Sequence, residues 1–260
     1  MKRNITVTPL SDVTLSSRSH EWIRSMNCVG RLRAFDVSTE SDVGTISDMA
    51  ESVASPQARA DYWNAVHDGA DEKTRSWYQS QSVMTFQLLD ELGVPSNASV
   101  IDVGGGASSL VDQLLAKHFT DITVLDVSSE AIGAAQRRVG ADPHVTWLVD
   151  DLLTWTSDRR YDVWHDRAVF HFMSGDQIDV YRSLLHRILA AHGAVILATF
   201  APDGPDHCSG LPVQRYGPEE LVDVLGSSFE MVTSIDEVHT TPGGAEQPFT
   251  WIGARRRDEI

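Results

Sequence analysis

The residues with the most chemical reach are a run of three glycines and the carboxylate ahead of it, in Ile101-Asp102-Val103-Gly104-Gly105-Gly106-Ala107-Ser108. Glycine has no Cβ, so the backbone there can pass unusually close to a ligand. A dinucleotide fingerprint would need a third small residue at position 109, where Ser109 stands. Asp102 would repel a pyrophosphate, yet it suits a ligand carrying an ammonium and a sulfonium group. Twenty positions after Gly106 comes Asp126. At the end of a second strand such a carboxylate can accept hydrogen bonds from both hydroxyls of an adenosine ribose. Cationic at one end and adenosyl at the other, that ligand is S-adenosylmethionine. The plainer alternative is a tight strand-to-helix turn with an incidental aspartate.

These residues must be held by regular elements, and the patterning supplies them. From Ala54 onward short β-branched runs alternate with amphipathic helical stretches, which is how a parallel sheet covered by helices reads. Strands are expected at 99–103, 121–127, 145–149, 161–165 and 194–200. A helix over 83–92 stops at Gly93-Val94-Pro95, and a second opens at Ser109 with Asp112 completing a capping box. A third starts at Ser128 and ends at Gly140. A fourth begins at Asp176, turns Ile178, Leu184, Leu185, Ile188 and Leu189 inward and closes at His192-Gly193. A short helix opens at Pro218. Two last strands, 229–238 and 249–254, flank the turn-forming Thr240-Thr241-Pro242-Gly243-Gly244 and pair as an antiparallel hairpin. The expected fold is a doubly wound α/β domain, a mostly parallel seven-stranded sheet with a C-terminal antiparallel hairpin. Ligands bind such sheets in the crevice outside the carboxyl ends of the strands.

Composition narrows the partners. With 21 Lys+Arg against 37 Asp+Glu the formal net charge is −16. Phosphate neutralisation needs clustered Lys and Arg, so a broad nucleic-acid face or an anionic membrane surface is not expected. A small-molecule substrate or a basic protein segment is compatible with the charge. Cys28 and Cys208 belong to no CxxC pair, so no metal site is expected. No window approaches the length of a membrane span, and a cytoplasmic location is expected. Residues 1–55 are rich in Ser and Thr and lack a sustained period, which reads as an N-terminal extension, flexible or lid-forming, before a domain over 56–260. Arg18, Arg24, Arg31 and Arg33 give it the look of a transit peptide, against which Asp12 and Glu21 count.

The stretches VIDVGGGAS (100–108), VLDVS (124–128), LVDDL (148–152), YDVWHDRAVFHF (161–172) and AVILATF (194–200) together resemble the class I S-adenosylmethionine-dependent methyltransferases, over roughly residues 56–256. Within that class, WHDRAVFHF and FAPDGPDHCSGLPVQRY look like the bacterial methyltransferase type 12 or 25 domains, which are similar to small eukaryotic protein-lysine methyltransferases. The resemblance implies a Rossmann-like fold and S-adenosyl-L-methionine as cofactor. It puts Asp102, Gly104 and Gly106 against the methionine part, Asp126 on the ribose and Val127 beneath the adenine. Asp151 would meet the adenine amino group and Leu152 would offer its backbone N–H, although Asp151 also reads as a helix cap.

Methyl transfer is an in-line displacement in which alignment and water exclusion can dominate, with a base assisting. By the family's geometry the end of the fourth strand faces the sulfonium, making His165, Asp166, His171 and Arg167 candidates. Asp166 is the first choice as the catalytic group and His171 the second, with His165 nearer the cofactor. His165 could instead point into the sheet, and His171 could pack with Phe170 and Phe172. Tyr62-Trp63 and Trp77-Tyr78 could stack over a cation, Trp77 being the one assigned to the cofactor; their alternative is to anchor a lid. The loop 201–216 is expected to form the acceptor wall. No D/N-P-P-Y/F motif and no Pro-Cys nucleophile occurs, which lowers nucleic acid further. A nicotinamide-dependent oxidoreductase and a non-catalytic cofactor-binding module remain as alternatives. The acceptor and the oligomeric state are not legible.

Overall fold

A computed structural model of the chain describes residues 53–69 and 71–257. The extension expected over residues 1–55 therefore lies almost wholly outside the described residues. The chain enters through α1 (Pro56–His67), started by Ser55, whose hydroxyl accepts from Ala58 N at 3.1 Å, and by Pro56 in the first turn. A 3₁₀ turn (Glu72–Thr74) leads to α2 (Val83–Glu91). Then come β1 (Val100–Val103), α3 (Leu110–Ala116), β2 (Ile122–Asp126), α4 (Ser129–Val139), β3 (Val145–Val149) and β4 (Tyr161–Arg167). A 3₁₀ turn (Phe170–Phe172) separates β4 from α5 (Asp176–Ile188), which runs directly into β5 (Leu189–Phe200). The small ribbon β6 (His207–Cys208) and β7 (Leu211–Pro212), the helix α6 (Pro218–Leu225), and the hairpin β8 (Phe229–Thr240) and β9 (Glu246–Arg256) complete the domain.

The seven main strands run in the order β3-β2-β1-β4-β5-β9-β8. β3, β2, β1, β4 and β5 are mutually parallel, and β9 lies antiparallel to both β5 and β8. The chain winds outward from β1 to β3 and then returns to β4 on the other side of β1. That reversal opens a crevice between the carboxyl ends of β1 and β4, the place where such sheets take ligands.

Alternation along each strand splits the core into two layers. Val100, Ile122, Val124, Val163, Ile196 and Ala198 pack under α2, α3 and α4, while Ile101, Val103, Leu125, Trp164, Val195 and Leu197 pack under α5 and α6. Each large side chain fully buried in these layers contributes roughly 1.5–3 kcal/mol.

Two local expectations are corrected. Ser109 does not cap α3 with its side chain; its hydroxyl donates to Gln79 O, and Asp112 pairs with Arg138 instead of closing a capping box. The helix begun at Asp176 ends at Ile188, so Leu189 belongs to β5. The pairing with β4 then jumps from Tyr161↔Leu189 to Val163↔Ala194. Those intervening residues, with His192 at φ 59, bulge out where a helix cap was expected.

Candidate active site

Strand alternation decides which side chains reach the crevice. Asp102 shares parity with Val100, Asp126 with Ile122 and Val124, and His165 and Arg167 with Val163, so all four lie on the α2–α4 side. They line one cavity of about 370 Å³, together with Trp77, Gly104, Gly106, Val127, Asp151 and Leu152. Every residue expected to hold the cofactor is thus brought to the same cleft.

The glycine turn is shaped by close approach. A Cβ on Gly104 would sit 2.0 Å from Val169 Cγ2, one on Gly105 2.3 Å from Asp102 Oδ2, and one on Gly106 2.7 Å from Asp126 Oδ2. Gly104 and Gly106 also have φ of 66° and 41°, which side-chain-bearing residues rarely adopt. The two carboxylates therefore press against a bare backbone, leaving an open cradle in front of them. Asp102 is buried and held by His165, whose Nδ1 lies 2.7 Å from Asp102 Oδ1 while Nε2 lies 3.1 Å from Thr85 Oγ1. With a neutral ring, Nδ1 donates to the carboxylate and Nε2 accepts from the hydroxyl. Both ring nitrogens are engaged, so His165 orients Asp102 and has no lone pair left for a ligand.

Asp126 uses Oδ1 to accept from Ser128 N at 2.8 Å, leaving Oδ2 toward the cleft. Burial raises its pKa to about 6, offset by the Ser128 N–H and by His67 and reinforced by Asp102 and Glu72. A pair of ribose hydroxyls would supply the hydrogen bonds that the ionised group lacks. The residues present thus fit an adenosyl cation: a carboxylate at each end of a bare-backbone turn, and apolar walls from Leu125, Val127 and Leu152 between them.

Over this floor lies α1, which has no buried residue of its own. It is attached at three places across the strand ends. Arg59 grips Asp151, with Nε at 2.8 Å and Nη2 at 2.7 Å from Oδ2. Asn64 Oδ1 accepts from Ser128 Oγ (2.9 Å), Ser129 Oγ (3.3 Å) and Glu130 N (3.2 Å), at the start of α4. The Tyr62 hydroxyl donates to Ser209 O in the loop 201–216. Trp63 packs edge-on to Trp77 and Phe172 with centroids 6.4 and 5.4 Å away, and His67 pairs with Glu72 at 2.8 Å. Trp63 and Trp77 pack against each other and also line the cleft.

Arg59, Asn64, His67, Glu72 and Thr85 escaped the sequence reading. The Ser55-Pro56 start signal was legible, but an exposed helix carries no apolar period to give it weight. Asp151 also serves as a turn cap, accepting from Leu153 N at 3.0 Å, so its adenine contact would share a carboxylate already paired with Arg59.

The two expected catalytic residues do not reach the cleft. Asp166 shares parity with Trp164 and points under α5. Its carboxylate accepts from Val169 N (3.0 Å), Phe170 N (3.1 Å) and the Tyr181 hydroxyl (2.8 Å), which itself accepts from Trp164 Nε1 at 2.7 Å. Burial raises Asp166 to about 6 and pushes Tyr181 well above its ordinary range. The network clamps the β4 turn, in which Ala168 adopts φ 67. His171 is wholly buried between Phe172 and Phe200, neither ring nitrogen has a partner, and burial followed by the Arg167 charge lowers its pKa to about 3. It is a packed histidine, as the alternative reading had it. Among the described residues no group of three or more His, Cys, Asp or Glu is placed to hold a metal ion, and no helix is long and apolar enough to cross a membrane.

Comparison with known proteins bears on the same segment. Residues 100–193, from β1 through α5 to the start of β5, match the family described as "Methyltransferase domain". Over that segment the chain is similar to methyltransferase domains. It is 29% identical to nodulation protein S of Rhizobium tropici over 114 residues, 43% of this chain and 47% of that protein. It is 24% identical to malonyl-[acyl-carrier protein] O-methyltransferase 1 of Ilyobacter polytropus over 130 residues, 47% of each. The chain thus spans about half the length of the curated relatives it matches. The fold also superimposes on Burkholderia thailandensis 1,6-didemethyltoxoflavin-N1-methyltransferase, solved with 1,6-didemethyltoxoflavin and S-adenosylhomocysteine. The TM-score is 0.62 at 20% identity, covering 87% of this chain and 99% of that one.

Proposed function

We propose that this chain binds S-adenosyl-L-methionine in the β1/β4 cleft and catalyses methyl transfer to an acceptor entering beside the 201–216 loop. The observation that carries the reading is the convergence of Asp102, the bare glycine turn and Asp126 at the sheet's reversal point. When bound, the cofactor supplies an electrophilic methyl group on a cationic sulfur. Asp102, held by His165, favours the positive charge, Asp126 fixes the ribose, and Asp151 with Leu152 and Val127 receives the adenine. The lid helix and its aromatics exclude water. With Asp166 and His171 turned away and His165 fully engaged, alignment carries most of the catalysis.

The named relatives support methyl transfer while differing in acceptor: one is a malonyl-[acyl-carrier protein] O-methyltransferase, another a 1,6-didemethyltoxoflavin-N1-methyltransferase. The reading includes a domain over 56–260 working in the cytoplasm, checked by cell fractionation. Calorimetry with S-adenosylmethionine and S-adenosylhomocysteine tests cofactor binding, and failure of both to bind folded protein refutes the proposal. Labelled methyl transfer into a size-fractionated host extract tests catalysis. Label in the small-molecule fraction identifies a metabolite acceptor, label in protein a lysine acceptor. Binding without any transfer leaves a non-catalytic module.

A further inference from the structure

The cleft-facing side of α1 ends on a polar pair that the cofactor contacts named above leave unused. Arg59, Trp63 and His67 recur every fourth residue, so they stand in one line along the helix, and all three line the cleft. His67 Nδ1 lies 2.8 Å from Glu72 Oε1, and the His67 ring packs edge-on to Trp77 with centroids 6.0 Å apart. Glu72 sits in the 3₁₀ turn that follows α1, so the pair ties the helix to its own continuation and fastens nothing to the sheet. A carboxylate on Nδ1 holds a neutral imidazole in the tautomer whose Nε2 carries the lone pair. Nε2 has no hydrogen-bond partner, and it is not among the polar atoms of the described residues that are both sealed and unpartnered, as both ring nitrogens of His171 are. It therefore keeps accessible surface, in a ring that borders the cleft.

The seating of α1 says which part of a ligand that lone pair would meet. Asn64, one turn before His67, accepts from Ser128 Oγ, Ser129 Oγ and Glu130 N, and Ser128 N in turn donates to Asp126 Oδ1. The last turn of α1 is thus fixed on the turn that carries Asp126, and both His67 and Glu72 act electrostatically on that carboxylate. Asp126 has Oδ1 engaged by Ser128 and Oδ2 without a partner, and it too lines the cleft. A vicinal diol brings two hydroxyl protons to this spot, and two unused acceptors border it, one from the sheet and one from the lid. His165, by contrast, stands at the Asp102 end of the glycine turn with both ring nitrogens engaged.

We propose that His67, oriented by Glu72, is a second ribose ligand, so that the diol of the cofactor is held between Asp126 Oδ2 on the sheet and His67 Nε2 on the lid. This rests on the S-adenosylmethionine reading of the cleft and gives that site a residue pair lying outside the strand-end motifs. Each acceptor takes one hydroxyl proton, and Glu72 is a positioning residue that acts through the ring. Holding the diol between two elements also makes the cofactor a fastener of α1, which buries no residue of its own.

The test measures how strongly the full chain prefers a nucleoside that has the diol. Adenosine and 2′,3′-dideoxyadenosine are titrated calorimetrically, alone and in competition with S-adenosylhomocysteine. H67F keeps a ring against Trp77 and removes Nε2. It should cut the preference for adenosine about fivefold to tenfold and weaken S-adenosylhomocysteine by the same factor, with dideoxyadenosine affinity within about threefold of the parent. E72A should cut the preference about threefold, and E72Q, whose amide oxygen still accepts from Nδ1, should restore most of it. An adenosine preference unchanged in H67F overturns the proposal, and so do equal losses for both nucleosides, which would make His67 a packing residue. Should H67F fail to fold, as thermal unfolding reports, the same comparison between E72A and E72Q decides. S-adenosylhomocysteine binding to the parent without any effect of H67F on the diol preference sinks the ribose assignment alone. Failure of the parent to bind S-adenosylhomocysteine sinks the cofactor reading and this assignment with it.

Discussion

Consecutive side chains at the end of β4 enter two different environments. His165 and Arg167 line the cleft, one locked onto Asp102 and the other donating to Trp77 O, whereas Asp166 between them turns under α5 and is saturated by two backbone N–H groups and Tyr181. Asp102 sits on the neighbouring strand, paired in register with His165, and is as deeply buried as Asp166. Two buried carboxylates on neighbouring strands, one residue out of register, thus serve opposite ends. One presses on a bare backbone where a ligand would lie; the other has spent its acceptor capacity on the fold. Burial alone does not mark a cleft carboxylate, and neither does a raised pKa, since Asp126 in the cleft and Asp166 in the core both stand at about 6. Unused hydrogen-bonding capacity facing a cavity does separate them.

The strongest attempt to break this contrast is on the cleft side. Gly104→Val would drive a side chain into Val169 and force a left-handed backbone on a β-branched residue. It should abolish S-adenosylhomocysteine binding in calorimetry, a loss of more than about a hundredfold, and cost about 2–4 kcal/mol in denaturant unfolding. Exchanging the two carboxylates for amides sharpens the contrast further. Asp166→Asn places an NH₂ among donors and should destabilise by about 2–4 kcal/mol with nucleoside affinity within about threefold. Asp102→Asn should weaken binding of S-adenosylmethionine by about tenfold or more through the lost charge. If Asp166→Asn instead spares stability and abolishes turnover, the assignment of the two sides is wrong.

Acidity gives a smaller effect. Asp126 and Asp166 have folded pKa values near 6, above the ordinary 3.8, so the folded state holds protons more tightly than the unfolded chain. Their contribution to stability is therefore greatest below about pH 4 and is lost as pH rises through 6, by about 1–3 kcal/mol each. Denaturation midpoints of Asp166→Asn followed between pH 4 and 7 should lack that component. Nucleoside affinity should rise over the same range as Asp126 ionises, and Asp126→Asn should flatten the curve. The least effect is expected at His171, whose ring nitrogens bond to nothing in an aromatic setting. His171→Phe should change stability by no more than about 1 kcal/mol and leave nucleoside affinity unchanged, as measured by thermal unfolding and calorimetry.

Much of this was legible beforehand. Five parallel strands, the terminal hairpin, the glycine turn and Asp126 follow from β-branched runs, turn residues and one spacing, because strands buried on both faces must be apolar and a backbone that touches a ligand must be glycine. The cap of α3 and the end of α5 were misplaced. Ser109 found a tertiary partner in Gln79, and a helix that runs straight into a strand leaves no stop signal at Ile188. A lid was anticipated from its aromatics, but α1 and its attachments went unseen because the helix buries nothing and Arg59, Tyr62 and Asn64 reach residues 64 to 147 positions away.

By itself the amino-acid sequence determined which residue types stand at the strand ends and hence that a cationic adenosyl ligand suits this sheet. Only the tertiary structure decided which of them act on it. Alternation along β4 was already implicit in Trp164-His165-Asp166-Arg167. The face that would hold the cleft, however, depended on which helices covered each side, and Asp166 was ruled out only when its acceptors were found satisfied by Val169, Phe170 and Tyr181. Local chemistry is written in the chain, while the satisfaction of a buried polar group depends on partners that folding brings from elsewhere.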